Sequence, residues 1–198
     1  MRVIETRAYK FNELSKEAKD KAIEEHREWE WAHGEYLHFF TEDCEEHAKE
    51  LGFTDCKFQY SLSCSQGDGL SFSAENYEGL EKLFLNELGK GKGNTAKILA
   101  ENCTVEIKGN NGRYCYASEN DVELYIENYT SSINCTNIDN IEDVVSGVES
   151  ELKTIYMDLC RKLEKQGYDE IDYQNSDECI SETIESNEYE FTEDGKQI

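Results

Sequence analysis

CKFQYSLSCSQGDGLSFSA, residues 56–74, carries the clearest structural signal in the chain. Cys56, Phe58, Tyr60, Leu62 and Cys64 fall on one parity, and Lys57, Gln59, Ser61 and Ser63 on the other. Alternation with period two is the pattern of a half-buried strand. Ser65-Gln66-Gly67-Asp68-Gly69 then turns the chain, and Leu70 to Ala74 returns as a second strand. An antiparallel ribbon is therefore the first element to place.

Helical periods lie on both sides of it. Downstream, Tyr77, Leu80, Phe84 and Leu88 share one face of a helix expected over 76–88. Upstream, a helix over 41–51 has Thr41 as its expected N-cap and Gly52 just past its end. Another starts at Asn12 or Ser15, with Leu14, Ala18, Ala22, His26 and Trp29 as a narrow apolar stripe. Residues 2–11 read as an edge strand. Beyond the ribbon, 89–94 (GKGKGN) reads as a flexible basic connector. Strands are expected at 103–108, 113–118 and 121–129, with Asn110-Asn111-Gly112 as a hairpin turn. Ile141, Val145, Val148, Leu152, Ile155, Leu159 and Leu163 mark a long helix over 140–166. Ser176 opens a short helix to about Asn187, and Tyr189 and Phe191 form a last strand. Strands and helices do not alternate as βαβ units, so the expected class is α+β. The expected architecture is one domain over 1–198, an antiparallel sheet of five to six strands packed with several helices.

Charge bounds the function. The 198 residues hold 20 Lys+Arg against 44 Asp+Glu, a net charge of −24. That excludes a general nucleic-acid binder, whose footprint is basic, and disfavours adhesion to anionic lipid. The chain is not a disordered acidic tail, since 8 Phe, 12 Tyr and 2 Trp are enough to build a core. Residues 101–198 carry −17 of the charge and 166–198 carry −10, whereas 88–100 hold three lysines and no acid. Solubility needs a net charge of only about 2–8 in a small domain, so the excess points to an acidic interaction surface. Asp169, Glu170, Asp172, Asp177 and Glu178 are its candidate contacts.

Other motifs admit two readings each. The glycines around Asp68 let backbone approach a ligand, with Gln66 and Asp68 as polar contacts, or simply serve the turn. Lys90 and Lys92, with Lys97 behind them, could hold an anion, or be a solvated linker. Arg113 would complete such a pocket. The histidines at 26, 33, 38 and 47 and the Cys44-x-x-His47 pair match no zinc spacing, so no metal or other cofactor is expected. A Cys44–His47 nucleophile pair lacks a third orienting group, and no catalytic residue is assigned. Eight cysteines without a visible secretory signal or a transmembrane run read as reduced, mostly buried thiols.

Three segments resemble a known family: Tyr9 to Trp31 (YKFNELSKEAKDKAIEEHREWEW), Ser65 to Ala74 (SQGDGLSFSA) and Asp177 to Gly195 (DECISETIESNEYEFTEDG). They are similar to phage- and prophage-encoded proteins loosely labelled antitoxins of toxin–antitoxin stability systems. The resemblance implies a non-enzymatic accessory protein of the bacterial cytoplasm and supplies no catalytic residues. Relatives carry a histidine after the Tyr-Cys pair, where this chain has Tyr116. The resulting expectation is a phage-encoded, antitoxin-like or anti-CRISPR-like inhibitor that blocks a bacterial toxin or immune protein stoichiometrically. Its acidic surface would mimic nucleic acid in the target's basic groove. The alternative is a small-molecule binder that sequesters a nucleotide immune signal.

Overall fold

The computed structural model describes residues 7–33, 36–110, 114–127, 131–134, 136 and 138–198. In chain order its elements are β1 (Tyr9–Lys10), α1 (Lys16–His33), α2 (Phe40–Glu50), β2 (Phe53–Thr54), β3 (Lys57–Ser61), β4 (Gly69–Ser73) and β5 (Asn76–Tyr77). Then follow α3 (Leu80–Leu88), α4 (Gly93–Asn102), β6 (Cys103–Ile107), β7 (Val122–Ile126), α5 (Ser131–Asn134), α6 (Ile141–Gln174), α7 (Asp177–Ser186) and β8 (Glu190–Phe191). The class is α+β, with one long helix. The chain divides into two compact units, the first from residues 1–38 and 168–198 and the second from 39–167.

Unit 2 is built on the ribbon. β3 pairs antiparallel with β4 from Lys57↔Ser73 to Ser61↔Gly69, and β2 pairs with β5. The two pairs are one ribbon broken at Asp55, whose φ of +53° interrupts the ladder. At the break Ala74 turns away and donates its N–H to the Ile107 carbonyl at 3.1 Å, which bridges to β6. β6 pairs antiparallel with β7. The strands thus pair two by two in short ribbons rather than in one sheet of five to six. Phe72 sits at the centre, with Phe53, Phe58 and Tyr156 rings 4.9–5.2 Å away. Tyr156 comes from α6, whose Val145, Val148, Leu152, Leu159 and Leu163 are also buried. Its hydroxyl donates to Asp121 Oδ2 at 3.2 Å and lies 3.2 Å from the Phe72 carbonyl, so one buried carboxylate is satisfied inside an aromatic core.

Unit 1 is made from the two ends of the chain. β1 pairs with β8 through Tyr9↔Phe191 and Lys10↔Glu190. Phe11, Leu14, Ala18, Ala22 and Ile23 pack with Ile180, Ile184 and Phe191 in its core. Ser176 caps α7 by accepting the Cys179 N–H, as its position in sequence implies.

Several expectations are corrected. Residues 76–77 pair with β2, and the helix starts only at Leu80, after Gly79. The 89–94 connector is a short turn followed by α4, because Ala96 and Leu99 bury against the core. Residues 114–118 form no ladder, and of the described residues in 121–129 those of β7 form the strand, after a capped turn at Glu119–Asp121, while Arg113, Asn128 and Tyr129 lie outside the described residues. The N-cap of α2 is Phe39, not Thr41, whose hydroxyl meets Tyr60 at 3.0 Å. The long helix runs on to Gln174 through Gly167, where a Cβ would lie 2.9 Å from the Phe40 ring. Residues 1–6 of the first strand, and Asn111 and Gly112 of the hairpin turn, lie outside the described residues.

Candidate functional site

The acidic residues of unit 1 gather at the end of α6 and along α7. Asp169, Glu170, Asp172, Asp177 and Glu178 are all exposed. They do not play one role. Asp177 pairs with Arg27, which also donates to Glu24 Oε1 at 2.6 Å and through Nε to the Asn175 carbonyl at 3.0 Å. Three acceptors on three segments fix the guanidinium fork, so Asp177 holds α7 to α1. Glu170 accepts from Gln174 Nε2 at 2.7 Å. Glu170, Glu178 and Glu182 lie near enough to Tyr173, which is exposed, for their charges to act on it. The Tyr173 hydroxyl is pushed upward from its ordinary range by its neighbours Cys179 and Glu182, with Glu178 and Glu170 adding to them. The result is an acidic patch that includes an exposed aromatic ring.

Four cations of unit 1 are engaged internally. Lys10 donates to the Glu188 carbonyl at 2.8 Å and pairs with Glu190 at 3.6 Å. Lys21 pairs with Asp194 at 2.8 Å, and that bond holds the Asp194 carboxyl down to about 2. Lys19 lies over the Phe11 ring, 5.4 Å from its centre. These contacts leave a net negative face, with 20 acidic against 8 basic residues in residues 1–38 and 168–198, a net of −12.

The Ser65–Gly69 loop in unit 2 is a closed knot. Asp68 accepts from the backbone N–H groups of Ser65 and Ser63, at 2.9 and 2.6 Å, and from the Ser61 and Ser65 hydroxyls at 2.8 Å. The Ser65 N–H, then the serine donors, hold this carboxyl well below the usual carboxylate range. Its oxygens are therefore occupied within the loop, whereas Gln66 is exposed. Tyr114 to Tyr116 lie against this loop, and Cys115 donates its N–H to the Gly67 carbonyl at 3.1 Å. Sequence reasoning noted Tyr116 only as a departure from the resembling family, since an unladdered segment leaves no periodic signature.

Lys90 and Lys92 are exposed in the turn before α4. One cleft of unit 2, about 400 Å³, is lined by Glu75, Tyr77, Glu78, Glu81, Lys97 and Glu101 among others. A second, about 510 Å³, is lined by Glu45, Lys49, Phe53, Thr54, Asp55 and Cys56. Gln66, Asp68, Lys90 and Lys92 line neither. Arg113 lies outside the described residues.

Among the described residues the histidines join no metal-holding cluster. His26 is buried in unit 1 beside Trp29 and Tyr189, its Nε2 3.6 Å from Glu30 Oε1. His47 belongs to unit 2, and its Nδ1 meets the Asp43 carbonyl at 2.8 Å. Cys44, one turn away, is fully buried, and burial pushes its thiol up to about 12. A thiol held neutral in apolar surroundings is no nucleophile at neutral pH. Among the described residues no three His, Cys, Asp or Glu side chains come together to hold a metal, and no helix is long and apolar enough to cross a membrane. The described cysteines are free thiols.

The family described as "Domain of unknown function (DUF8835)" matches residues 36–177. No curated protein and no solved structure matches the chain.

Proposed function

The chain belongs to the DUF8835 family, and from that starting point we propose that it works by stoichiometric binding. It occupies the basic groove of a bacterial toxin or immune protein and keeps nucleic acid out. The role is that of a phage-carried, antitoxin-like or anti-CRISPR-like inhibitor, as the three resembling segments imply. The observation that carries the reading is the patch on α6 and α7. Asp169, Glu170, Asp172, Glu178 and Glu182 are exposed beside exposed Tyr173 on these two helices, in a unit whose Lys10, Lys19, Lys21 and Arg27 are engaged internally. A net-negative carboxylate surface offers a basic cleft the same neutralisation that phosphates offer it. Arginine fits the patch best, because a guanidinium stacks on a tyrosine ring while donating to flanking carboxylates.

Capture from bacterial lysate tests this. The bait is the full chain, beside a variant with Asp169→Asn, Glu170→Gln, Asp172→Asn and Glu178→Gln. Asp177 is left intact because it holds α7. A basic nuclease or defence protein should be retained by the native chain, released by salt between about 50 and 200 mM, and lost with the variant. Its activity should fall in proportion to added chain. Inhibition by substoichiometric amounts would contradict the reading.

A further inference from the structure

His26 is 7% exposed, and among the described residues its Nε2 has no hydrogen-bond partner. Such an atom is uncommon in a folded interior, where buried polar groups are paired. An acceptor stands just out of reach. Glu30 Oε1, one turn along α1, is 3.6 Å away. A charge-assisted N–H···O bond closes at about 2.7–2.9 Å, so the carboxylate has less than about 1 Å to travel. The Glu30 side chain is 34% exposed and is not packed on every side. Two aromatic rings lie beside the imidazole. The Trp29 ring, from α1, is 6.3 Å away with planes within 27°. The Tyr189 ring, from the segment between α7 and β8, is 5.9 Å away and tilted by 46°. The titratable groups that meet His26 are thus Glu30 on its own helix and the Tyr189 phenol across from it. Glu188 and Glu190, on either side of Tyr189, are exposed, and Lys10 meets the Glu188 carbonyl and the Glu190 carboxylate. From α7 the core of this unit receives Ile180 and Ile184, which do not titrate.

We propose that His26 is a proton-operated latch of unit 1: on protonation its Nε2–H closes onto Glu30 and the imidazolium holds the Tyr189 segment against α1, and on deprotonation the latch is released. A neutral imidazole has one proton for two ring nitrogens, whereas the charged ring donates from both. Protonation therefore turns the idle Nε2 into a donor facing a carboxylate. It also draws the ring to the electron-rich faces of its aromatic neighbours, as other cations are drawn. Burial works against the charge, and the carboxylate and the two rings work for it. Imidazole suits such a switch, because its charge ordinarily changes between about pH 5 and 8. The place in the fold gives the latch leverage. Arg27, the next residue, ties α1 to Asp177 in the first turn of α7. Tyr189 lies beyond the other end of α7 and donates its N–H to the Ile184 carbonyl at 3.3 Å. Consecutive residues of α1 thus hold the chain on both sides of α7. One does so through a guanidinium that stays charged, the other through a ring that charges only with a proton. The latch stands independently of the partner-binding role proposed above.

Urea unfolding of the full chain, followed by tryptophan fluorescence at about pH 8 and about pH 5.5, tests this. The native chain is compared with His26→Gln, Glu30→Gln and, as a control in unit 2, His47→Gln. The latch contributes on the acid side of the imidazole range and is lost as pH rises through it. Acidification should therefore move the native unfolding equilibrium toward the folded state by about tenfold relative to His26→Gln, the low end of what a hydrogen bond to a charged group contributes. Glu30→Gln should lose most of that difference, and His47→Gln should respond as the native chain does. An equal response in the native chain and His26→Gln would overturn the latch. So would a native chain that loses more on acidification than His26→Gln, or a response abolished by His47→Gln. A check on the native chain needs no folded variant. The carbon-bound ring protons of His26, identified by their nuclear Overhauser contact with the Trp29 ring, should shift over this pH range together with the Trp29 indole N–H. A His26 resonance that stays in place would overturn the proposal whether or not the variants fold.

Discussion

The two units carry the same charge on very different frames. Residues 1–38 and 168–198 hold 20 acidic and 8 basic residues, whereas residues 39–167 hold 24 and 12. Each nets −12, but unit 1 does so on roughly half the chain length. Unit 2 is held by aromatic packing around Phe72 and hides a buried polar pair, Asp121 with Tyr156, inside that packing. Unit 1 has a smaller core and relies on charged ties, above all Arg27 and Lys21. The difference separates two jobs that acidic residues do. In unit 2 a carboxylate such as Asp68 or Asp121 is consumed by local structure. In unit 1 some carboxylates, such as Asp177 and Asp194, are consumed by cations, and others, such as Asp172 and Glu178, are exposed.

Both Trp residues, Trp29 and Trp31, lie in α1, so tryptophan fluorescence reports unit 1. Amide exchange in β3 and β4 reports unit 2. The largest expected effect is Phe72→Ala, which empties a site ringed by Phe53, Phe58 and Tyr156. It should cost about 3–5 kcal/mol by denaturant unfolding and speed exchange in β3 and β4. A cost below about 1 kcal/mol would mean that aromatic packing does not hold unit 2.

Arg27→Ala comes next. It strands Asp177, Glu24 and the Asn175 carbonyl, and should cost about 1–3 kcal/mol in the fluorescence-detected transition. Arg27→Lys should not restore the loss, because a point charge cannot serve three directions at once. Full rescue by lysine would show that charge alone suffices.

Glu178→Gln with Glu182→Gln should change stability by about 0.5 kcal/mol or less, and upward, as repulsion around Tyr173 is relieved. The same pair of changes should weaken partner capture. A large destabilisation would reassign these residues from display to structure.

The smallest effect concerns Asp194, whose carboxyl is held down to about 2 by Lys21. A depressed folded-state value means that its contribution is complete above about pH 4 and fades as pH falls toward 2. Asp194→Asn should therefore lower stability at neutral pH and remove that part of the acid dependence. An unchanged acid limb would remove Lys21–Asp194 from the ties of unit 1.

Local signals made part of this legible. The stripe from Val145 to Leu163 and the Ser176 cap both lie within a few residues of what they specify, and α6 and α7 follow them. The strands were harder because their partners are remote, as Tyr9↔Phe191 shows. Asn76 and Tyr77 read as helix because their pairing to Phe53 and Thr54 overrides the period. α4 was hidden behind a Gly-Lys stretch that looks like linker, with only Ala96 and Leu99 buried. At the candidate site, the acidic bias of the C-terminal residues was visible by counting. That Asp177 is spent on Arg27, while Glu182 joins the patch around Tyr173, depends on the packing of α1, α6 and α7 in unit 1.

The central claim is that the acidic face of unit 1 blocks a basic groove by occupancy. The most direct measurement is titration calorimetry of the full chain against the purified protein it captures, repeated at about 50 and 200 mM salt, with the four-carboxylate variant alongside. The account predicts a one-to-one endpoint, affinity falling steeply with salt for the native chain, and a shallower fall for the variant. An affinity indifferent to salt, or equal slopes for both chains, would contradict it.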